Sequence, residues 1–520
     1  MFKNSYQIIA VALVLAATVF TASCTDDLNT SPLDESVISS NVVYDTPEDF
    51  RQVLAKLYAG YATTGQQGPA GNPDIQGIDE GFSSYVRQIW VNQVISTDEA
   101  VVAWNDPGLP DFNTQSWNAS NDFVLGMYSR IFYQIPLTNE FIREAQQRNE
   151  DVIQGYLNEA RFLRALSYWH ALDLYGGNVP FVTEDNPIGA DMPEPTNAED
   201  LFDYIESELL AIEGELPATR ENEYGRVDKA AVWTLLTKLY LNAEVYTGQE
   251  RYSDAVTFAE RVIDDGGYYL EENYEHLFLA DNENSPEIIM PVRFHGQNTR
   301  TFGGTTFIIH AAVGGDMSAS EFGIEGGWAG HRVTPQFVEK FDQDNDGRAL
   351  FHTEGQSLEI NDINDFRDGY AVTKWKNVNS DGSPASSQDY ADTDFPMFRV
   401  ADVYLMYAEA VLRGGGGDQT KALNLVNELR ERAYGDQSGN ITAAELDLDF
   451  ILDERARELY WEGHRRTDLV RYGLFTSSEY VWAYKGGEQE GTGTSDHLNI
   501  YPIPASDVNA NLNLFQNEGY

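Results

Sequence analysis

Four tryptophans stand where chemistry could be done. Trp90, Trp104 and Trp117 fall in one polar stretch, RQIWVNQVISTDEAVVAWNDPGLPDFNTQSWNASNDF, and Trp328 lies in GGWAGHR. Trp104 is followed by Asn105, Asp106 and Pro107, residues that favour a turn. An indole at a loop tip beside amide and acid groups suits a sugar. The ring face stacks on the C–H face of a pyranose, while Asn, Asp and Arg satisfy hydroxyls. Burial in a core is the competing role for any Trp. We expect it for Trp90 and Trp117, and expect Trp104 and Trp328 to face a ligand.

Signs of catalysis are weak. With 83 acidic residues, carboxylate pairs arise by chance anywhere in the chain. A glycosidase needs two at a defined separation in space, which a sequence does not display. HExxH, GxSxG and GxxxxGK[ST] are absent, and the 8 histidines show no metal-ligand spacing. One run, Asp342-Gln-Asp344-Asn-Asp346-Gly347, matches the first half of a calcium loop. Its twelfth position is Thr353 rather than Glu, and an Asp/Gly turn closing a helix is the competing role. No cofactor is implied. The net charge of −49 argues against nucleic acid or an anionic membrane surface as partner.

The elements that must position these residues are mainly helical. Phe162, Leu166, Trp169 and Leu172 share a helix face that ends at Gly176-Gly177. Thr196 and Glu199 have capping-box spacing before Leu201, Ile205, Leu209 and Ile212. Asp228 is placed to cap a helix carrying Val232, Leu235, Leu236 and Leu239. Further helices are expected near 253–265, 400–413, 419–433 and 453–473. In two helix-turn-helix segments an alanine precedes another by the same interval: Ala243 and Ala255, Ala410 and Ala422. That is a tetratricopeptide-type signature, and GGGG at 414–417 reads as a helix connection. The last helix carries Arg455, Glu458, Glu462, Arg465 and Arg466 at helical spacing, which reads as an ion-pair network between helices. Residues 64–118 and 280–400 are loop-rich insertions, of the kind that carry function.

The N-terminus bears on location. Ile8 to Phe20 is an apolar run too short to span a bilayer, following Lys3. Ala22-Ser23-Cys24 resembles a bacterial lipobox, which implies a signal peptide over 1–23 and lipid on Cys24, the sole cysteine. Asp26 and Asp27 resemble the acidic tag of surface-exposed lipoproteins. We expect a tether over 24–45 and a single domain over 46–520, with no internal disulfide.

Four stretches in order resemble the SusD-like (RagB/SusD) family: EARFLRALSYWHALDLYGGNVPFV, FRVADVYLMYAEAV, ILDERARELYWEGHRRTDLVRYG and YPIPASDVNANLNLFQNEGY. Leu512 departs from the family's frequent Pro. The resemblance implies a mostly α fold, with about four tetratricopeptide-like helix pairs and loop-rich insertions carrying the ligand site. It implies a glycan-binding lipoprotein on the outer face of the outer membrane, acting with a SusC-like TonB-dependent transporter, which binds and does not cleave. GIDEGFSSYVRQIWVNQVISTDEAVVAW is similar to the starch-binding members, in which an arc of aromatics matches an α-glucan. By position this carries ligand contact to Asp79, Arg87, Trp104 and Trp328, with Asn105 as a nearby amide. Phe302 is the candidate third aromatic, where Phe in place of Tyr lacks a hydroxyl. Another glycan such as a β-glucan, a surface polysaccharide hydrolase and a purely structural subunit remain as alternatives.

Overall fold

A computed structural model describes residues 43–520 except Ala70, Pro187, Ile188, Ala190 and Asp191. Cys24, the acidic tag and most of the tether therefore lie outside the described residues. The chain divides at Arg51/Gln52. Of the first unit, residues 43–51 are described and contain the start of helix α1 (Pro47–Ala62). Thr46 and Asp49 form a reciprocal cap there, the Thr46 amide donating to Asp49 Oδ2 at 2.8 Å and the Asp49 amide to Thr46 Oγ1 at 3.3 Å. The rest of the fold and the site lie in the second unit.

That unit is a stack of helices: α2 (Asp122–Ala145), α3 (Asp151–Tyr175), α4 (Ala198–Ile212), α5 (Lys229–Leu241), α6 (Tyr252–Asp265), α7 (Gly304–Ala312), α8 (Val400–Leu412), α9 (Gln419–Tyr434) and α10 (Leu448–Leu459). Neighbours pack in sequence order, α2 on α3, α3 on α4, α5 on α6 and α8 on α9, while α6 also packs on α8. Ala243, Ala255, Ala410 and Ala422 are fully buried, as close helix approach requires. The tetratricopeptide-like reading of the helix pairs fits this fold.

The caps explain the boundaries. Asp228 Oδ1 accepts from the amides of Ala230 (2.8 Å) and Ala231 (3.2 Å), starting α5. Helix α3 stops at Gly176, whose φ of 71° is open to glycine. At α4 the cap is Asn197 rather than Thr196; its Oδ1 accepts from the Asp200 amide at 2.9 Å. The expected helix 453–473 is broken in two. After α10 the chain turns at Trp461, in the left-handed region (φ 63°), and resumes as a short helix Arg465–Arg471. Tertiary bonds hold this break: the Trp461 amide donates to Glu99 Oε2 (3.0 Å) and its indole N–H to Glu99 O (2.8 Å).

The charges on these helices form a buried network. Arg399 pairs with Glu287 and Glu458 (2.7 Å each) and Glu462 (2.6 Å). Arg348 reaches Glu454 (2.8 Å) and Glu458 (3.0 Å), and Lys374 reaches Glu462 (2.7 Å). Arg455 joins Asp402 and Asp468, Arg465 joins Asp98, and Arg471 joins Glu409. Buried carboxylates survive here only because each has cationic partners.

Among the described residues, six short strands complete the fold: β1 (Val101–Val102), β2 (Ile288–Val292), β3 (His331–Arg332), β4 (Phe351–His352), β5 (Ala371–Val372) and β6 (Phe395–Arg399). They pair antiparallel as β1–β3, β2–β6 and β4–β5. The β1–β3 ribbon, with Val102 opposite His331, joins the two loop-rich insertions.

Candidate functional site

The ribbon places Trp104 beside Trp328. β1 runs into Ala103, whose amide donates to Gly330 O at 2.8 Å. The 328–330 segment in turn caps the C-terminal end of α7. The amides of Trp328, Ala329 and Gly330 donate to the carbonyls of His310 (2.7 Å), Val313 (2.9 Å) and Ala311 (2.8 Å). Those carbonyls would otherwise be orphaned at a helix end. Ala329 adopts a left-handed φ of 50° to make the turn. A non-glycine residue held there marks a segment whose shape the surroundings impose.

Two tryptophans 224 residues apart thus meet, with ring centroids 6.4 Å apart and planes at 47°. The Trp104 indole N–H donates to Trp328 O at 3.0 Å. It is spent inside the protein, so Trp104 can offer a ligand only its ring. Behind it lie His331 (5.2 Å) and Phe307 (6.1 Å). Gly330 is required for this approach: a Cβ there would stand 2.5 Å from Trp104 Cζ2. Trp328 rests on His310 in a near-parallel stack, 4.7 Å between centroids at 27°. Both tryptophans remain half-buried, while Trp90 and Trp117 are core residues as expected.

His310 and His331 are packing groups. Burial pushes both imidazoles below the usual histidine range, His331 far below, with Arg87 and Arg332 adding repulsion. They are neutral at pH 7. His310 Nδ1 lies 2.9 Å from Gly326 O; a carbonyl only accepts, so Nδ1 carries the proton and Nε2 is an acceptor without a partner.

Arg87 supplies the charge. It lies on the short helix Tyr85–Trp90, which Ser84 caps. Its guanidinium carbon sits 4.1 Å above the Phe307 ring. Nη1 donates to Gly81 O (2.7 Å) and Phe302 O (3.3 Å). Among the described residues it makes no ion pair within 4.0 Å. Burial lowers its pKa to about 10, and Asp106 and Asp79 oppose that fall. It therefore stays cationic at neutral pH.

The other expected residues are placed as follows. Asp79 is exposed, and its Oδ1 accepts from the Gly81 amide at 2.7 Å, which fixes the turn that feeds Arg87 a carbonyl. Asn105 stands exposed on the loop beside Trp104, with no side-chain hydrogen bond among the described residues. Phe302 is half-buried, its carbonyl held by Arg87. Gly303 and Gly304 after it admit Ser84 and the Phe294 ring where a Cβ would overlap them. The residues missed in the sequence are His310 and Phe307 beneath the rings, Gly330, and Tyr390 beside Phe302. Helical spacing on α7 could have paired Phe307 with His310, but nothing local ties them to either Trp.

The calcium reading of 342–346 fails. Both Asp346 oxygens are bound to Arg348, at 2.9 Å from Nε and 2.8 Å from Nη2. Asp342 is occupied by its own turn, accepting from Asn345 Nδ2 at 2.9 Å, and Asp344 points to solvent without joining it. Among the described residues no group of three or more His, Cys, Asp or Glu is arranged to hold a metal ion.

Comparison with known proteins gives this geometry a context. The chain is 36% identical to the starch-binding protein SusD of Bacteroides thetaiotaomicron, over 100% of both chains. The chain belongs to the SusD family. The family profile itself matches residues 359–520. A solved SusD superfamily protein from Parabacteroides distasonis superposes with a TM-score of 0.72 at 23% identity, covering 93% of this chain and 100% of that one. Surface glycan-binding protein A of Bacteroides thetaiotaomicron, solved with laminarihexaose, superposes with a TM-score of 0.68 at 20% identity, over 90% of this chain and 99% of that one. At such identity these two speak for the fold alone. SusD-family proteins bind carbohydrate rather than transform it, and they are outer-membrane surface proteins. No helix among the described residues is long and apolar enough to cross a membrane.

Proposed function

We propose that this SusD-family glycan-binding protein takes α-linked gluco-oligosaccharides at the Trp104–Trp328 pair. It passes them to a SusC-like TonB-dependent transporter while tethered to the outer membrane by lipid on Cys24. The observation that carries the reading is the pairing itself: two half-buried indoles at 47°, one with its N–H already satisfied, beside an arginine that makes no ion pair within 4.0 Å among the described residues. Tilted rings match a ligand whose successive sugars turn relative to one another, as α-linked glucose does. Arg87 holds a sugar hydroxyl from the flank, with Asp79 and Asn105 at the exposed edge. The name of the starch-binding relative supports the same ligand class.

Titration calorimetry with maltoheptaose tests this. Wild-type protein binds, and Trp104→Ala weakens binding by about 2 kcal/mol, some thirtyfold in Kd, as a stacking anchor should. An unaltered mutant sinks the reading. Retardation on a gel cast with laminarin but not with amylopectin transfers the same role to a β-glucan. Release of reducing ends from either polysaccharide would instead mark a hydrolase.

A further inference from the structure

Leu512, the departure in the C-terminal motif, is the most exposed large apolar side chain among the described residues, at 84%. Phe515 follows at 62%, and Met192 and Ile500 are exposed as well. Four of the eight exposed large apolar side chains among the described residues thus belong to one neighbourhood. The bonds of the C-terminal tail bring them together. Asn511 Nδ2 donates to Pro193 O (2.8 Å) and Asn513 Nδ2 to Met192 O (3.1 Å), which sets Leu512 beside the Met192 segment. Asn178 Nδ2 donates to Phe515 O. Two residues before it, a Cβ on Gly176 would stand 3.3 Å from Ile500 Cδ1. Phe515 and Ile500 therefore flank the same turn.

The tail is turned inside out. Gln516 exchanges two bonds with Ile503, the Ile503 amide donating to Oε1 at 2.8 Å and Nε2 donating to Ile503 O at 2.7 Å. Asn517 Nδ2 donates to Tyr175 O (2.9 Å) and Tyr501 O (2.8 Å). Amide side chains that water would satisfy are spent on backbone carbonyls, while Leu512 and Phe515 face solvent. Charge is missing from the same place. Residues 174–182, 497–506 and 508–517 contain no Asp, Glu, Lys or Arg, in a chain of which 22% is charged. Exposed apolar side chains grouped together mark interaction sites, and loss of charge with gain of aromatic and Met side chains is the composition of an interface core.

Charge also selects the occupant. Two copies of a chain at −49 repel each other, and an anionic headgroup surface repels it too. A neutral, apolar protein face meets no such opposition. We propose that Met192, Ile500, Leu512 and Phe515 form a docking face for a different protein, whose contacting surface is itself apolar and free of charge. The face is preformed, because the asparagine and glutamine bonds hold the tail in place before any partner arrives. It shares no side chain with the Trp104–Trp328 pair, and it does not depend on which glycan binds there.

Photo-crosslinking of the full chain in its own membrane tests this. p-Benzoylphenylalanine is placed at position 512 or 515, and at Tyr269, an exposed ring elsewhere on the protein, as control. Positions 512 and 515 should each give an adduct with the same different polypeptide, mapping to an uncharged segment of it, and position 269 should give none. The double variant Leu512→Glu, Phe515→Glu should co-purify at least about tenfold less of that polypeptide, since an apolar contact opposes a buried carboxylate. Its Kd for maltoheptaose should stay within about twofold of wild type, and its unfolding temperature within about 2 °C. An adduct with a second copy, with lipid alone or with a charged segment overturns the proposal. So does labelling no stronger than at position 269, or a double variant that keeps its partner. Failure of wild-type protein to bind maltoheptaose removes the glucan reading and leaves the docking face standing.

Discussion

Arg399 and Arg87 are both shielded arginines, and the protein uses them in opposite ways. Arg399 lies among Glu287, Glu458 and Glu462, where Lys374, Arg348 and Arg432 share the same carboxylates. Every carboxylate there has cationic partners and is enclosed, although Arg432 Nε is left without a hydrogen-bond partner. Arg87 lies on a phenyl ring with two carbonyls for partners and an Nε that has none. The first arrangement pairs its charges and encloses them out of a ligand's reach. The second leaves a cation whose hydrogen-bonding capacity is incompletely used. Perturbed charge alone therefore does not find the functional site of this molecule, because the most perturbed groups are structural. What marks the site is charge left unmatched beside half-open aromatic rings.

The comparison is broken most sharply by removing Arg399. Arg399→Ala leaves three buried carboxylates short of a partner, and breaking such a pair costs about 3–5 kcal/mol. Urea unfolding should show that loss. Glucan affinity of the folded protein should stay unchanged, since the network and the site share no side chain. A parallel loss of affinity would show that the two regions are coupled.

Acid probes the same contrast without a mutation. The arginines around Glu454 and Glu409 hold both carboxyls down at about 2 against burial that would raise them. A lowered folded pKa gives stability that is present above the unfolded value and lost as pH falls toward the folded one. His170 and His464, pushed down to about 3 by burial, act in the same direction, because only the unfolded chain protonates them readily. Asp394, which burial pushes up to about 7, and Glu99, which burial also raises, act the other way down to the ordinary carboxylate range, so the urea midpoint should fall chiefly below about pH 4. Between about pH 6.5 and pH 8, where Arg87 stays charged and His310, held below its ordinary value by burial, stays neutral, the Kd for maltoheptaose should not move.

How much of this contrast was legible beforehand differs between the two regions. The network could be foreseen, because Arg455, Glu458, Glu462, Arg465 and Arg466 recur at helical spacing and charges so placed need partners. The break at Trp461 could not, since it depends on Glu99, far away in sequence. In the site, Trp104 stood out by its turn residues and Trp328 by its glycines. Their adjacency was invisible, because it is made by a ribbon two residues long on each side. Strands so short carry no periodicity to read. Tyr390 was hidden for the same reason, fixed by bonds to Thr306 and residues 296–297 rather than by any local pattern. The capping Asn197 was misplaced by one residue because Thr, Asn and Asp all satisfy the cap chemistry.

A gentler change sharpens the role of ring placement. Gly330→Ala puts a Cβ 2.5 Å from Trp104 Cζ2, so the indole must shift. The glycine has no positive φ to defend, and the displaced ring is half-open, so stability should change by less than about 1 kcal/mol. Affinity for maltoheptaose should fall about tenfold, near 1.4 kcal/mol. Loss of stability without loss of affinity would make Trp104 a packing residue rather than a platform.

The smallest expected effect concerns salt. The protein carries a net charge of −49, so any charged ligand would feel a strong and screenable field. A neutral glucan does not. Its contact with Arg87 is a short hydrogen bond to a hydroxyl, which ionic screening over about 8–10 Å hardly touches. Raising the salt from about 0.05 M to about 0.5 M should leave the maltoheptaose Kd within a factor of two. An acidic glycan behaves differently: its repulsion from the 83 carboxylates weakens as salt rises, so its binding should tighten. A physiological glycan whose affinity climbs with salt would mean that Arg87 serves an anionic sugar, and that the neutral-glucan assignment is wrong although the Trp104–Trp328 pair stands.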